Sequence, residues 1–526
     1  NKRFKNIFFS GISFDSNKVK KDHIFFAIKG NNIDGNNFIP KAIKKGSKII
    51  ITEKKIKRLQ NGVLFIHSKN IRKLLAEVSF KIYKKKPKNL IAVTGTNGKS
   101  SIADFYYQIL RLNNKKVASI GTLGVKSSKI NFGLSNTTVD SIQLSKILKK
   151  LKNKKIDNVI MEASSHGLKQ NRLDGLKFNS GIFSNLSQDH LDYHKDLKDY
   201  LNAKLYLFRN LVKKNGNIIT DDKIPEFKKI KKIATDQNLQ ICTLNNKKNN
   251  LKILSHNFKG ESQILGVKLN KLKKTINVNL IGRIQLKNLM MAIFAAKKSN
   301  ISLEKILSVI PKIKPVEGRF EKVGEIKNRS RVILDYAHTP DALKICLLNL
   351  KEQFPNKKIT ALFGCGGNRD QNKRAKMGKI VSKYSDEIYL TDDNPRFENP
   401  NMIRRDVKKG IRKKKIIEIA NRAKAISKAI EFLKTGDILL VAGKGHEKTQ
   451  DIGKRKIHFS DKEIILNAIK KKNSSLSDNL KLNILRETSN FKRLSSALSF
   501  NQARINSKEV KKNDIFFAIK GKKNDG

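Results

Sequence analysis

The run Val93-Thr94-Gly95-Thr96-Asn97-Gly98-Lys99-Ser100-Ser101 constrains the fold more than any other stretch of the chain. An apolar strand pattern, Leu90 to Val93, enters it, and a helix pattern, Ser101 to Leu112, leaves it. Glycines let the backbone reverse sharply, so that amides converge on an anion at a helix N-terminus. A lysine after the last glycine adds a mobile positive charge, and the next hydroxyl can ligate magnesium. The common form of this loop has a further glycine where Val93 stands, so this is a shorter variant of the Gly-Thr-x-Gly-Lys-Ser kind. Strand, anion-binding turn and helix in that order predict a nucleotide-binding α/β domain, with a plain βα turn as the alternative.

A chain of 526 residues has room for about three or four domains. Residues 1–88 read as short strands and helices, such as Ile24–Ile28, Ala42–Lys45 and Ile49–Thr52. Residues 89–313 open at the phosphate loop and alternate strand and helix patterns. The apolar runs Val159–Met161 and Gly181–Phe183 suit buried parallel strands. Residues 314–471 repeat the alternation, with strands expected at Val332–Leu334, Ile359–Phe363, Glu387–Leu390 and Ile438–Ala442. Residues 472–526 begin in a polar, Ser/Asn-rich stretch (Lys470 to Lys481) that reads as a linker. They then repeat an earlier motif: Asp15 to Gly30 returns as Asn506 to Gly521. The spacing is far longer than a solenoid period, so a second copy of the first domain begins here. The opening Asn1 in place of Met suggests a fragment at both ends.

The formal charge of +67 suggests a nucleic-acid binder at first sight. However, Lys, Ile and Asn are all abundant and evenly spread, as an A/T-rich coding bias produces, whereas a nucleic-acid footprint concentrates on one face or tail. Aromatics do not interleave with the basic runs, so no stacking platform is visible. No nucleic-acid partner is expected. Cys242, Cys346 and Cys365 lie far apart and form neither a disulfide framework nor a zinc motif. No apolar run is long enough for a membrane span, and no signal-peptide core opens the chain, so a cytoplasmic protein is expected.

Glu162, after the strand pattern ending at Met161, lies where open α/β sheets bind ligands, and suits a magnesium ligand. Asp189, His190, Asp192 and His194 read equally well as metal ligands or as a solvated helix start. With Asn136-Thr137-Thr138, Gly318-Arg319-Phe320-Glu321, Asp335-Tyr336-Ala337-His338-Thr339-Pro340 and Phe363-Gly364-Cys365-Gly366-Gly367-Asn368-Arg369-Asp370, the set closely resembles the Mur ligases. Within that family it is similar to the members that add the third residue of the peptidoglycan stem, over about residues 10–468. The tail resembles the opening of the D-alanyl-D-alanine-adding members.

The resemblance implies a three-domain α/β architecture: a UDP-sugar-binding N-terminal domain, a central P-loop ATPase domain with a parallel sheet, and a Rossmann-like C-terminal domain. It implies an ADP-forming amide ligase working through an acyl phosphate, with ATP and Mg2+ as cofactors and action as a monomer. By similarity, Gly95, Thr96, Asn97, Gly98, Lys99, Ser100 and Ser101 hold the phosphates. Asn288, Arg319 and Asp335 take adenine and ribose, and Ser100, Glu162, His190 and a carbamylated Lys204 hold metal. Carbamylation needs a neutral amine, so the site must depress the lysine pKa. Ser16, Asn136, Thr137, Thr138, Ser164, Gln170 and Arg172 are implied for UDP-N-acetylmuramoyl-L-alanyl-D-glutamate. One departure stands out: Ile284 and Gln285 replace the Phe and first Asn of a family motif that keeps Asn288.

For the incoming amino acid the resemblance points to Arg369, Asp393, Asn394, Pro395, Arg396, Gly443 and Glu447. An Asp-Asn-Pro-Arg motif accompanies meso-2,6-diaminopimelate in this family. Its arginine matches the far carboxylate and repels a bare ammonium. As sequence alone, Asn-Pro is a turn signal. The alternatives are a lysine-adding sister ligase and, from another class, a basic P-loop ATPase acting on nucleic acid.

Overall fold

The computed structural model describes residues 8–30, 33–244, 251–269, 272–412, 414–476, 480–481, 499–500 and 502–519. The chain divides into two units, Asn1–Val316 and Glu317–Gly526.

The first unit opens with a five-stranded sheet in the order Gly11–Ser13, His23–Phe26, Ile49–Thr52, Val63–His67, Leu59–Gln60. All its pairs are parallel except the last. Strand alternation sends Ile24, Phe26, Ile49 and Ile51 to one face, against helix Ile71–Ile82. Phe25, Ile50 and Phe65 go to the other face with Val19 and Ala42. Both faces are therefore covered, as a mainly parallel sheet requires.

An eight-stranded sheet follows, in the order Gln240–Thr243, Val212–Thr220, Phe178–Phe183, Asn89–Thr94, Asn158–Glu162, Val117–Gly121, Gly124–Ser127, Asn131–Phe132. The first six are parallel and the last two antiparallel. The strand that feeds the phosphate loop is central. Val93 registers with Glu162 and Thr94 with Phe183, so three strands end together at one edge. Helix Lys99–Leu112 is apolar around most of its surface because it packs between this sheet and helix Arg283–Lys297. A three-stranded antiparallel sheet, Leu251–Lys259, Ser262–Leu269 and Leu272–Val278, joins the same core. Sequence reading gave no antiparallel sheet here, because lysines on its exposed face break the apolar runs.

The second unit carries a six-stranded sheet: Glu321–Lys322, Arg331–Asp335, Ile438–Ala442, Ile359–Phe363, Glu387–Leu390, Ile416–Glu418. It is parallel beyond its first, antiparallel pair. Val332, Leu334, Leu439 and Val441 pack on helices Arg422–Glu431 and Asp461–Ser475. The intervening Ile333, Phe363 and Leu440 are buried on the opposite face.

The linker reading of Lys470–Lys481 does not hold for residues 470–475, nor does the boundary at 472, and residues 477–479 lie outside the described residues. Helix Asp461–Ser475 runs through that point. The Lys472 ammonium donates to the carbonyls of Ile430, Glu431 and Leu433, capping the end of the neighbouring helix. The polar composition of residues 470–475 is mostly one exposed helix face.

In the tail, Ala503 and Arg504 pair in parallel with Ile515 and Phe516. At equivalent positions of the repeat, Ile12 and Ser13 pair with Ile24 and Phe25. The short helical turns Ser16–Lys18 and Ser507–Glu509 also correspond, each capped by the preceding Asp15 or Asn506. The second copy thus has the same local fold. Its Phe516 and Phe517 are more than a third exposed, where Phe25 and Phe26 are buried. Among the described residues no helix is long and apolar enough to cross a membrane.

Candidate active site

At the edge where the central strands end, Gly95 and Gly98 adopt φ values of 142° and 88°. Neither position has room for a side chain. A Cβ on Gly95 would lie 1.9 Å from Ser184 Oγ, and one on Gly98 2.5 Å from Asn288 Oδ1. Asn288 is thereby placed against the loop, on helix Arg283–Lys297, with its amide donating to the substituted Gln285 at 3.2 Å. Glutamine at 285 thus supports the retained asparagine.

The loop's amides are not all turned outward. Thr96 N–H donates to Asn185 O and Asn97 N–H to Asn185 Oδ1, both at 3.0 Å. These two members of the expected phosphate cradle are engaged by the protein, because Ser184 and Asn185 follow the adjacent strand. The Lys99 ammonium donates to Gly95 O at 2.9 Å and Thr96 O at 2.7 Å, folded onto its own loop. Ser100 and Ser101 sit buried in the first turn of the helix.

Lys204, on helix Leu197–Tyr206, is 1% exposed and donates to the same Gly95 carbonyl at 2.7 Å. Burial, reinforced by Lys99, holds its amine well below the ordinary lysine range, with Asp189 opposing. Its nitrogen lies 4.1 Å from the centre of the Tyr200 ring, whose hydroxyl donates to Thr96 Oγ1.

Glu162 is buried, its two oxygens accepting from the Thr122 amide at 2.9 Å and hydroxyl at 3.1 Å. His190 has a left-handed backbone and lies 3.4 Å from Asp189 through Nε2. Its ring meets His166 edge-on, and His166 stacks on Tyr193 at 4.0 Å. Burial, then the neighbouring His190 and His194, lowers His166 to about 4. Among the described residues no three His, Cys, Asp or Glu side chains gather as a ready metal cage. The expected set includes only two such residues, Glu162 and His190.

The residues expected to meet the nucleotide-sugar peptide fall into two connected groups. Ser16, Asn136, Gln170 and Arg172 line one cavity of about 490 Å³, together with Phe14 and Arg72. Behind it, Arg172 donates to Gln170 Oε1 and Thr138 O, while Thr138 Oγ1 links Glu162 O to Ser164 N. Thr137 and Thr122 share a hydroxyl contact of 3.0 Å. A continuous polar path therefore runs from the cavity to Glu162.

In the second unit, Asp335 accepts from the amides of Phe320 and Ala337, both at 2.7 Å. Burial raises its carboxyl, and Arg319 opposes the rise. The Arg319 guanidinium lies 4.4 Å from the centre of the Tyr336 ring. Asp393, Asn394 and Pro395 are buried, while Arg396 is half-buried with a left-handed backbone. Arg396 Nη1 donates to Gly367 O at 2.7 Å, and its peptide bonds to Asp451 and Gly453. Glu447 accepts from Tyr336, Asn394 and Lys444. Gly443 is pressed against Asp393, since a Cβ there would lie 2.7 Å from Oδ2. Arg369 is exposed on the loop that also holds Gly367. Sequence reasoning missed Thr122, Tyr200 and Lys444. Lys444 stands between two glycines, but lysine is so common in this chain that it gave no signal.

Three family models match in chain order: the Mur ligase family catalytic domain at 9–83, the Mur ligase middle domain at 93–296, and the Mur ligase glutamate ligase domain at 318–445. The chain is 41% identical over 465 residues to the UDP-N-acetylmuramoyl-L-alanyl-D-glutamate–2,6-diaminopimelate ligase of Rickettsia montanensis, covering 88% of this chain and 96% of that protein.

The chain belongs to the Mur ligase family.

A same-named ligase of Buchnera aphidicola subsp. Schizaphis graminum is 36% identical, again over 88% of this chain and 96% of its own length. A solved structure of a UDP-N-acetylmuramoyl-L-alanyl-D-glutamate–2,6-diaminopimelate ligase superposes with a TM-score of 0.64 at 30% identity, covering 88% of this chain and 95% of that one. The MurF ligase of Thermotoga maritima in complex with ADP shares the fold: TM-score 0.59, 18% identity, 90% and 100% coverage. The expected Mur ligase α/β architecture and the ligase class are borne out.

Proposed function

We propose that this Mur ligase adds meso-2,6-diaminopimelate to UDP-N-acetylmuramoyl-L-alanyl-D-glutamate in the cytoplasm, with ATP cleaved to ADP and phosphate. The observation that carries the choice of amino acid is the paired setting of Arg396 and Glu447. The guanidinium is anchored on Gly367 O, and the carboxylate is held by Asn394, two residues before Arg396. A cation and an anion fixed in this way match an amino acid whose far end carries both a carboxylate and an ammonium. A lysine side chain would leave the arginine unmatched.

The chemistry follows from charge. The γ-phosphoryl group of ATP passes to the dipeptide carboxylate, giving an acyl phosphate and ADP. The incoming amine then attacks the acyl carbon and expels phosphate. Lys99 and the helix N-terminus stabilise negative charge on the phosphates. Arg172 and the cavity it lines with Ser16, Asn136 and Gln170 orient the dipeptide, alongside Thr137, Thr138 and Ser164. Asn288, Arg319 and Asp335 take the nucleoside. Asp393, Gly443 and Arg369 complete the amino-acid subsite.

Magnesium favours oxygen donors, and the site offers three of them beside one nitrogen. Ser100 and Glu162 would supply oxygens, His190 would add a nitrogen, and the depressed Lys204 amine would supply more oxygens once it took up CO2 with loss of a proton to give a carbamate. When bound, magnesium neutralises phosphate charge. Glu162 is kept in place by Thr122, and Lys204 by its burial against Gly95.

Isotope transfer tests the reaction. With 18O in the dipeptide carboxylate, one label should appear in released phosphate for each amide formed. Unlabelled phosphate would exclude the acyl phosphate. ATP turnover that depended on DNA or RNA and not on the dipeptide would favour the nucleic-acid ATPase reading.

A further inference from the structure

Lys444 has no solvent exposure, in a chain whose other lysines are mostly at the surface. Burying an ammonium is costly unless it is paired and hydrogen-bonded. Lys444 Nζ donates to Asn394 Oδ1 at 2.9 Å and to Glu447 Oε2 at 3.0 Å. Asn394 Nδ2 donates to the same Glu447 oxygen at 3.1 Å, which closes a ring of three groups. Tyr336 OH donates to the other oxygen at 3.3 Å. The backbone that carries Lys444 has no slack: a Cβ on the neighbouring Gly445 would lie 2.6 Å from Gly318 O and 2.9 Å from Tyr336 Cβ.

This ring changes what Glu447 can accept. An isolated carboxylate attracts any cation. With an ammonium fixed 3.0 Å away, the pair is neutral overall. A second ammonium arriving alone would meet like-charge repulsion from Lys444 at short range. An end group that carries its own carboxylate offsets that repulsion, because Arg396 takes the anion.

We propose that Lys444 is a positioning residue that determines specificity. By neutralising Glu447 and fixing it on Asn394, it makes the subsite take an amino acid with a zwitterionic far end and reject one with a bare ammonium. The proposal rests on the diaminopimelate reading of this subsite. It assigns part of the discrimination to a residue that need not touch substrate.

The test compares kcat/KM for meso-diaminopimelate and L-lysine in full-length wild type, Lys444→Met and Lys444→Arg, at saturating ATP and nucleotide-sugar dipeptide. In Lys444→Met the preference for diaminopimelate should fall about tenfold or more, the scale of one charged hydrogen bond. Its KM should rise while that for L-lysine falls, and the KM values for ATP and dipeptide should stay unchanged. Lys444→Arg, which keeps the charge, should retain the preference. Equal losses for both amino acids in Lys444→Met, with the ratio unchanged, would overturn the proposal. If calorimetry shows that Lys444→Met does not fold, Lys444→Gln carries the same expectation, because it keeps a donor and drops the charge. A wild type that ignores diaminopimelate would instead overturn the functional reading on which the proposal stands.

Discussion

Gly98→Ala probes the phosphate loop where it packs against Asn288. The residue has φ 88° and ψ −10°, and its missing Cβ would stand 2.5 Å from Asn288 Oδ1 and 3.2 Å from Cγ. Two costs follow. Holding alanine in a left-handed conformation costs about 1–2 kcal/mol. Displacing the buried Asn288 amide, which is bonded to Gln285, adds an overpacking term of about 1–3 kcal/mol. Together they amount to about 2–5 kcal/mol, which lowers the melting temperature by about 5–15 °C for a domain of this size. Gly62 supplies an internal control in the same unit: its φ is 76°, but nothing lies within 4 Å of its missing Cβ. Gly62→Ala should therefore show only the strain term. Differential scanning calorimetry, which resolves separate transitions, measures both. Asn288→Ala in the Gly98→Ala background should recover the overpacking term but not the strain. If Gly98→Ala costs no more than Gly62→Ala, or if Asn288→Ala recovers nothing, Asn288 does not pack on the loop as described.

Lys204→Met should reduce ligation by about a hundredfold or more, with no rescue by bicarbonate, while stabilising the protein by about 0.5–2 kcal/mol. Because burial and Lys99 depress this amine, the unfolded chain binds the extra proton between the folded value and about pH 10.4, and wild-type stability rises with pH there. The melting gap between variant and wild type should accordingly narrow as pH is raised toward about 10; a gap independent of pH would mean the amine is not depressed. Arg396→Ala should lower kcat/KM for meso-diaminopimelate about thirty-fold or more, with KM for the dipeptide unchanged; an equal rise in both KM values would point to a general structural role. Truncation after Leu476 should leave ligation and melting unchanged. Truncation after Lys471 removes the Lys472 cap on three carbonyls and should cost about 2 kcal/mol or more in chemical denaturation; equal stability of the two truncations would contradict that cap.

The parts of the fold legible in the sequence were those with strong local signals. Ile359–Phe363, Glu387–Leu390 and Ile438–Ala442 are mainly apolar because both faces of a parallel sheet are buried, with Thr360 and the exposed Glu387 as the polar members, and all three are strands with those limits. The repeat predicted a matching local fold in the tail, and the register agrees. The antiparallel strands at 251–278 were not legible, since one solvated face full of lysines hides their period. The end of the last long helix was missed for a related reason: Lys472 looks like surface composition and is in fact a buried cap. In the site, the phosphate loop and Glu162 were recognisable from their places after apolar strands. Thr122 was not, because its role in holding Glu162 comes from a neighbouring strand end brought close only by sheet order. The hold on the Thr96 and Asn97 amides was hidden for the same reason: Asn185 reaches them from beyond the adjacent strand.

The most direct measurement is phosphate release by the full chain, with ATP, magnesium and UDP-N-acetylmuramoyl-L-alanyl-D-glutamate, across a panel of amino acids, with product mass read in parallel. Release is expected with meso-diaminopimelate, matched by a product heavier by one diaminopimelate residue, and far less with L-lysine. Equal or greater turnover with L-lysine would contradict the assignment of Asp393–Arg396 and Glu447 as the selecting group.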